Sequence, residues 1–342
     1  MRKLAISTVM MLAACGSSTS GPNGNPDAKG SNAVDADPNA PDADPNAPDA
    51  APGTPDAPTS NAKPTIFTIV LENHDYNEIV SKTSGDAASK NAPYVNSLIK
   101  QYGLATAYKD TGHPSLPNYL NLVSGDNQYP GVVDVDPTQF PYFPAKKDNL
   151  GDQLTVANIK WRSYQESMGT ACKLTGSGKY APKHDGFLYF DNIQNRGGNQ
   201  DFCKEHNVDY TEFAADLASN EYRYMWITPN LTDDGHDPSS DPAAALKVSD
   251  TWLMNNLPAI LDSDGYKAGG IIFLTWDEAE ARNGDDADLI PMIVISNRIK
   301  TPGMTITTAF THGSYLATVE DYFGLPRLAT VTNAPNLNAF LN

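Results

Sequence analysis

Apolar positions fall in two rhythms between Pro64 and the C-terminus. Five short runs are rich in β-branched or aromatic residues and bounded by polar residues: Thr65–Leu71, Ile159–Gln165, Arg223–Ile227, Gly270–Trp276 and Pro291–Ser296. Such runs predict strands buried on both faces. Between them the apolar residues recur every three or four positions, which predicts helices. These cover Asn91–Tyr102, Tyr210–Ser219, Ala243–Leu261 and Gly313–Phe323. A further helix starts near Ser115, with Leu116, Tyr119, Leu120 and Val123 on one stripe, Pro117 in its first turn and Gly125 as its stop. Strands alternating with helices predict an α/β fold with a mostly parallel central sheet and helices on both faces.

The pattern changes upstream. Met1-Arg2-Lys3 and a short apolar run lead to Leu12-Ala13-Ala14-Cys15, a basic, apolar and small-residue succession that predicts a signal peptide over residues 1–14. Leu-Ala-Ala-Cys also resembles the bacterial lipobox, which implies cleavage before Cys15 and lipidation of its sulfur. Residues 15–63 then lack large apolar side chains and carry Asp-Ala-Asp-Pro-Asn-Ala-Pro at 35–41 and again at 42–48. Such a segment buries too little surface to offset its ordering entropy, so it reads as a disordered Asp/Pro/Ala-rich tether. The expected organisation is signal, lipidated cysteine with tether, and one catalytic domain over 64–342. The expected location is a bacterial cell envelope or surface, with the membrane contacted through lipid.

Charge narrows the partners. The chain has 24 basic and 41 acidic residues, a formal net charge of −17. That disfavours nucleic acid and anionic lipid as ligands. Beyond Cys15, only Cys172 and Cys203 remain. An even pair in an exported chain suggests a disulfide.

In open parallel sheets the ligand crevice lies beyond the carboxyl ends of the strands. The first strand runs into Glu72-Asn73-His74, the second into Glu166, the third toward His236-Asp237 and the fourth into Asp277-Glu278. Glu72, Asn73, Asp277 and Glu278 are oxygen ligands, suited to a hard divalent cation. Ser115 stands at or near a helix N-terminus, where a phosphate binds well. Serine is also a favoured N-cap, so a purely structural role stands beside the chemical one. With a cation beside it, Ser115 would attack phosphorus, and His113, His236 and His312 could supply positive charge or a proton.

Here a family resemblance enters. Leu71-Glu72-Asn73-His74-Asp75-Tyr76, Gly112-His113-Pro114-Ser115-Leu116-Pro117-Asn118-Tyr119, Pro229-Asn230 with His236-Asp237, Thr275-Trp276-Asp277-Glu278 and Thr311-His312 with Tyr315 occur in this order. The set is similar to that of the bacterial and fungal phosphoesterase family, which holds acid phosphatases and phospholipases C and is related in fold to alkaline phosphatase. The resemblance implies one metal on Glu72, Asn73, Ser115, Asp277 and Glu278, with Ser115 as nucleophile as well as ligand. It implies that His113, His236 and His312 line the phosphate site, and that Asn118 and His184 (in Lys183-His184-Asp185-Gly186-Phe187) lie near substrate. The expected function is a lipid-anchored acid phosphatase that cleaves small phosphate monoesters through a phosphoserine. The identity of the divalent metal and the oligomeric state stay open.

Rival readings are a phospholipase C-type diesterase, a surface lipoprotein that binds a ligand without turnover, and a metal-free serine hydrolase. The last lacks a Gly-x-Ser-x-Gly elbow. Gly176-Ser177-Gly178-Lys179 lacks the spacing of a phosphate loop and reads as a turn. The Asp285-Asp286-Ala287-Asp288 run reads as a solvated loop.

Overall fold

The computed structural model describes residues 62–280 and 288–342. The signal, Cys15, the repeats and Asp285 to Ala287 lie outside the described residues. A mixed sheet holds the domain together. Its strands are β1 (Ile66–Leu71), β2 (Gly103–Lys109), β3 (Trp161–Gln165), β4 (Asn207–Asp209), β5 (Tyr224–Thr228), β6 (Ile271–Trp276), β7 (Leu289–Ile295), β8 (Thr305–Ile306) and β9 (Phe310–Thr311). They lie in the order β4-β3-β5-β1-β6-β7-β2-β8, with β9 beside β2.

All five strands expected from the apolar runs are present, with ends shifted by one or two residues. β1, β3, β4, β5 and β6 pair parallel. β7 runs against both β6 and β2. The sheet is thus mostly parallel with one reversed strand. Every residue of β1, β5 and β6 is buried. Strands covered on both faces need a helical layer on each.

Two helix pairs supply that cover. α1 (Pro93–Gln101) packs on α3 (Pro242–Asp262), and α2 (Ser115–Ser124) packs on α4 (His312–Phe323). All ten residues of α2 are buried, because α4 and the 182–189 loop both lie on it. Gly125 ends α2 in the left-handed region at φ 69°, where a side chain would strain the backbone. A Cβ there would also run into Val331 and Thr330. Among the described residues no helix is long and apolar enough to cross a membrane.

Cys172 and Cys203 form the expected disulfide, with Cα atoms 5.4 Å apart. The bridge closes the excursion that carries Lys183 and His184.

Candidate active site

Register places the first two acidic groups together. Leu71 pairs with Trp276 across β1 and β6, so Glu72 and Asp277 leave the sheet side by side. Asn73 follows at φ 31°, a left-handed backbone that asparagine tolerates better than most residues.

Ser115 reaches this edge by a different route. It follows β2, which is separated from β1 by β6 and β7. The intervening loop is steered back by Asp110, whose carboxylate accepts from Gly112 N at 3.0 Å and Ala279 N at 2.9 Å. Asn118 finishes the turn: its Oδ1 accepts from Thr111 N and Oγ1, both at 2.9 Å, and its Nδ2 donates to Gly112 O at 2.6 Å.

Ser115 is therefore the first helical residue of α2, and Pro114 holds the N-cap position. The expected capping role does not occur. The Ser115 hydroxyl instead donates to Glu72 Oε2 at 3.1 Å, and it is almost fully buried. Tyr119, one turn on, donates to Glu72 Oε1 at 2.5 Å. Lys183 Nζ lies 3.4 Å from Ser115 Oγ and 2.6 Å from Asp134 Oδ2. The other Asp134 oxygen accepts from Leu116 N at 3.0 Å. An internal carboxylate thus lies across the helix N-terminus, beside the serine, bridged to a lysine.

The acidic groups raise one another. Burial pushes the Glu72 carboxyl up. Burial, then the Glu72 charge, does the same at Asp234 and Asp277. Glu278 is pushed up to about 8, first by burial and then by Glu72, Asp110 and Asp134. For Lys183, burial opposes the charge, but Glu72, Asp134 and Asp277 outweigh it and hold the ammonium above its usual range.

Crowded carboxyls of this kind take up either protons or a cation. The Asn73 amide end faces Asp277 Oδ1 and Glu72 Oε2 at 3.1 Å each, and rotating the amide would make both contacts hydrogen bonds. Asp277 Oδ2 is buried without a hydrogen-bond partner. A buried cluster of carboxyl and amide oxygens fits a hard divalent cation. Glu278 is turned aside, to His113 Nδ1 at 2.8 Å and Asn118 Nδ2 at 3.4 Å. Next to it, Asp110, His113 and Asp288 bring one ligand atom each within 4.8 Å of one another. Asp288 arrives there because β7 is reversed and starts at this edge.

The remaining expected residues divide. His184 is buried and stacks on Tyr119 with ring centroids 5.1 Å apart. It lies between Glu72 Oε1 at 3.2 Å and Asp234 Oδ2 at 3.4 Å, behind Glu72. His236 is partly exposed; its backbone N donates to Asp234 Oδ1 at 2.8 Å and its Nδ1 lies 3.1 Å from Asp237 Oδ1. His312 Nε2 lies 2.7 Å from the backbone oxygen of Asp277 and its Nδ1 lies 3.0 Å from Tyr108 Oη. The carbonyl can only accept, so Nε2 carries the hydrogen, and Nδ1 accepts from the tyrosine. Burial holds its pKa down at about 4. Both ring nitrogens are thus engaged within the protein, and the ring braces the Asp277 backbone.

Asn118 likewise organises the loop that leads into Ser115. Glu166 stays away from Ser115 and accepts from Asn230 N at 2.9 Å. Contributors that the sequence did not reveal include Asp110, Asp134, Lys183 and Asp234, and Asp288, expected in a solvated loop, comes to lie beside Asp110 and His113. A larger cleft of about 1130 Å³, lined by Glu166, Tyr210, Phe213 and Leu217, contains neither Ser115 nor the carboxylates around it.

Comparison with known proteins agrees with this architecture. The model of the phosphoesterase family matches residues 81–326. A probable acid phosphatase of Kluyveromyces lactis is 29% identical over 273 residues, covering 77% of this chain and 58% of that protein. A phosphate-repressible acid phosphatase of Penicillium chrysogenum is 27% identical over 294 residues, 82% of this chain and 65% of its own. A phosphatidylinositol-3-phosphatase of Mycobacterium tuberculosis is 27% identical, with 81% and 83% covered. The chain thus spans 58–65% of the length of these two fungal relatives. A protein of the alkaline phosphatase superfamily from Vibrio parahaemolyticus superposes with a TM-score of 0.56 at 12% identity, over 80% of this chain and 70% of that one. The chain belongs to the phosphoesterase family, on an alkaline-phosphatase-like fold.

Proposed function

We propose that this member of the phosphoesterase family is a phosphatase that hydrolyses small phosphate monoesters through a phosphoserine at Ser115. The observation that carries the proposal is the setting of the Ser115 hydroxyl: first residue of a buried helix, 3.1 Å from the Glu72 carboxylate and 3.4 Å from the Lys183 ammonium. Glu72 orients the hydroxyl and receives its proton as Oγ closes on phosphorus. Lys183 and the positive end of α2 hold the non-bridging oxygens, where charge gathers in the transition state. For that, the Asp134 carboxylate has to give up Leu116 N and Lys183 to the substrate.

Glu72, Asn73, Asp277 and Ser115, with Glu278 alongside, would hold one divalent cation, which would acidify the serine and offset phosphate charge. His113 and His236 are proposed to hold phosphate oxygens and protonate the leaving oxygen; His312 and Asn118 position, and His184 backs Glu72. An acidic optimum belongs to the proposal, since acid favours imidazolium. Leu12-Ala13-Ala14-Cys15 supports export and anchoring by lipid on Cys15, which Cys15→Ser would release into the medium.

The test is turnover of p-nitrophenyl phosphate across pH, beside Ser115→Ala and Asp277→Ala, with and without a chelator, and with bis-p-nitrophenyl phosphate in parallel. Both variants should lose activity, and quenched wild-type enzyme should carry phosphate on Ser115. Full activity in Ser115→Ala would overturn the mechanism. Faster diester turnover would shift the reading to a phospholipase C-type diesterase.

A further inference from the structure

Beside Ser115 lies a cleft of about 670 Å³ of which the steps above use only Asp134 and Lys183. Its floor is the Asp134–Lys183 pair, and Lys183 is the group 3.4 Å from Ser115 Oγ. The volume lies in the range of small-molecule sites, about 300–1,000 Å³.

Both walls are anchored. On one side, Val135 O accepts from Tyr189 Oη at 2.6 Å, and Pro137 O accepts from Gln194 Nε2 at 3.2 Å. On the other, Ser177 and Tyr180 exchange backbone bonds at 3.1 and 3.0 Å. Tyr180 Oη donates to Lys173 O at 2.8 Å, and the Cys172–Cys203 bridge closes the segment.

We infer that this cleft is the leaving-group subsite and that it takes a hydroxyl-rich alcohol, a sugar or polyol, bearing no second phosphate. The inference rests on the monoesterase reading. Asp136 offers acceptors, while Gln139, Ser177 and the peptide groups of Gly176 and Gly178 offer donors and acceptors both, which suits hydroxyls that donate and accept in turn. Lys183 is the one cation among the lining residues, and the reacting phosphate claims it. Lys173 reaches Ser177 Oγ without lining the cleft. A second phosphate would therefore meet the Asp136 carboxylate without compensation. An acyl chain would find few apolar partners beyond Val135, Ala181 and Pro182.

The experiment is steady-state kinetics of the full chain on fructose 6-phosphate, fructose 1,6-bisphosphate and dihexanoyl phosphatidic acid. The expected result is a kcat/KM at least tenfold higher for fructose 6-phosphate than for either other substrate. Asp136→Asn, at an exposed position, should narrow the mono- to bisphosphate ratio at least threefold. Gln139→Trp should lower fructose 6-phosphate turnover at least tenfold while the inhibition constant for inorganic phosphate stays within twofold. Equal or better turnover of the bisphosphate or the lipid by wild type would overturn the inference. So would a Gln139→Trp variant that leaves fructose 6-phosphate untouched or weakens phosphate to the same degree. Ser115→Ala that keeps fructose 6-phosphate turnover would instead sink the underlying mechanism, so the two failures separate.

Discussion

Lys183→Ala is the sharpest test of how this site handles charge. The ammonium lies 3.4 Å from Ser115 Oγ and 2.6 Å from Asp134 Oδ2, with its side chain 21% exposed. Unit charges about 4 Å apart interact by about 4 kcal/mol at an effective dielectric of about 20. A net charge-assisted hydrogen bond contributes about 1.5–3 kcal/mol. The lower figure allows for solvent at the mouth, so about 3 kcal/mol of transition-state stabilisation should go. At about 1.4 kcal/mol per tenfold, kcat/KM should fall roughly 100-fold. Part of that loss comes from Asp134, which is left charged on Leu116 N with no counterion, where the phosphate has to bind. Lys183→Ala combined with Asp134→Ala should therefore recover about tenfold over the single variant, a coupling that a double-mutant cycle reads directly. The assay is kcat/KM on p-nitrophenyl phosphate with the inhibition constant for inorganic phosphate. A single variant within threefold of wild type would refute the role given to Lys183. Strict additivity would refute competition between Asp134 and phosphate.

Three further outcomes are expected. His312→Ala should lower stability by about 2–4 kcal/mol, since it opens a buried space and strips the partners of Asp277 O and Tyr108 Oη; the pH profile of kcat above pH 5 should keep its shape, because a group with pKa about 4 is already neutral there. Asp185 is fully buried and burial raises its carboxyl to about 7. A raised folded-state pKa favours folding below the unfolded value and loses that advantage as pH rises through the folded one. Thermal stability should thus carry a component, on the order of 4 kcal/mol at most, that disappears between about pH 4 and pH 7; Asp185→Asn should flatten that slope, and an unchanged melting curve from pH 4 to 8 would contradict it. Replacing both Cys172 and Cys203 by serine removes a loop closure with a sequence separation of 31. The cost should be about 3–4 kcal/mol in chemical denaturation, with the loss of Lys183 placement read as a rise in KM.

Much of the fold was legible because β1, β5, β6 and β7 are near-continuous apolar runs, a signal that survives without knowledge of neighbours. β2 escaped notice because Gly103-Leu104-Ala105-Thr106-Ala107-Tyr108-Lys109 is built of small and mixed residues and follows α1 with only Tyr102 between. The reversal of β7 is not written in its composition, since antiparallel and parallel strands buried on both faces look alike. In the site, Glu72, Asn73, Asp277 and Ser115 were found by their place after strands and before a helix. Asp134 was not, because it lies in a proline-rich stretch with no periodicity, and its role is set by the lysine it meets 49 positions on. Lys183 stood beside a named histidine and was passed over. His312 was placed at the right edge, but its hydrogen bonds to a backbone oxygen and a tyrosine are tertiary facts that no local pattern carries.

The position of Ser115 one residue inside the helix bears on its chemistry. A serine at the N-cap turns its oxygen back onto the amides two or three residues ahead, which occupies a lone pair and fixes the hydroxyl away from solvent and ligand. Here the cap position falls to Pro114, which has no side-chain acceptor to offer. The first-turn amide of Leu116 is served instead by Asp134, from outside the helix. That division leaves the Ser115 oxygen free to hydrogen-bond Glu72 and to face Lys183. It also makes the amide's partner exchangeable, since a carboxylate on a separate loop can leave without uncapping by the nucleophile itself. On the proposed mechanism, an anionic substrate would then take over the amide and the lysine together. Moving a capping residue to position 114 tests this directly. Pro114→Asp should put a carboxylate on the first-turn amides and lower affinity for inorganic phosphate at least tenfold. Tighter phosphate binding in that variant would show that the helix N-terminus does not receive the anion.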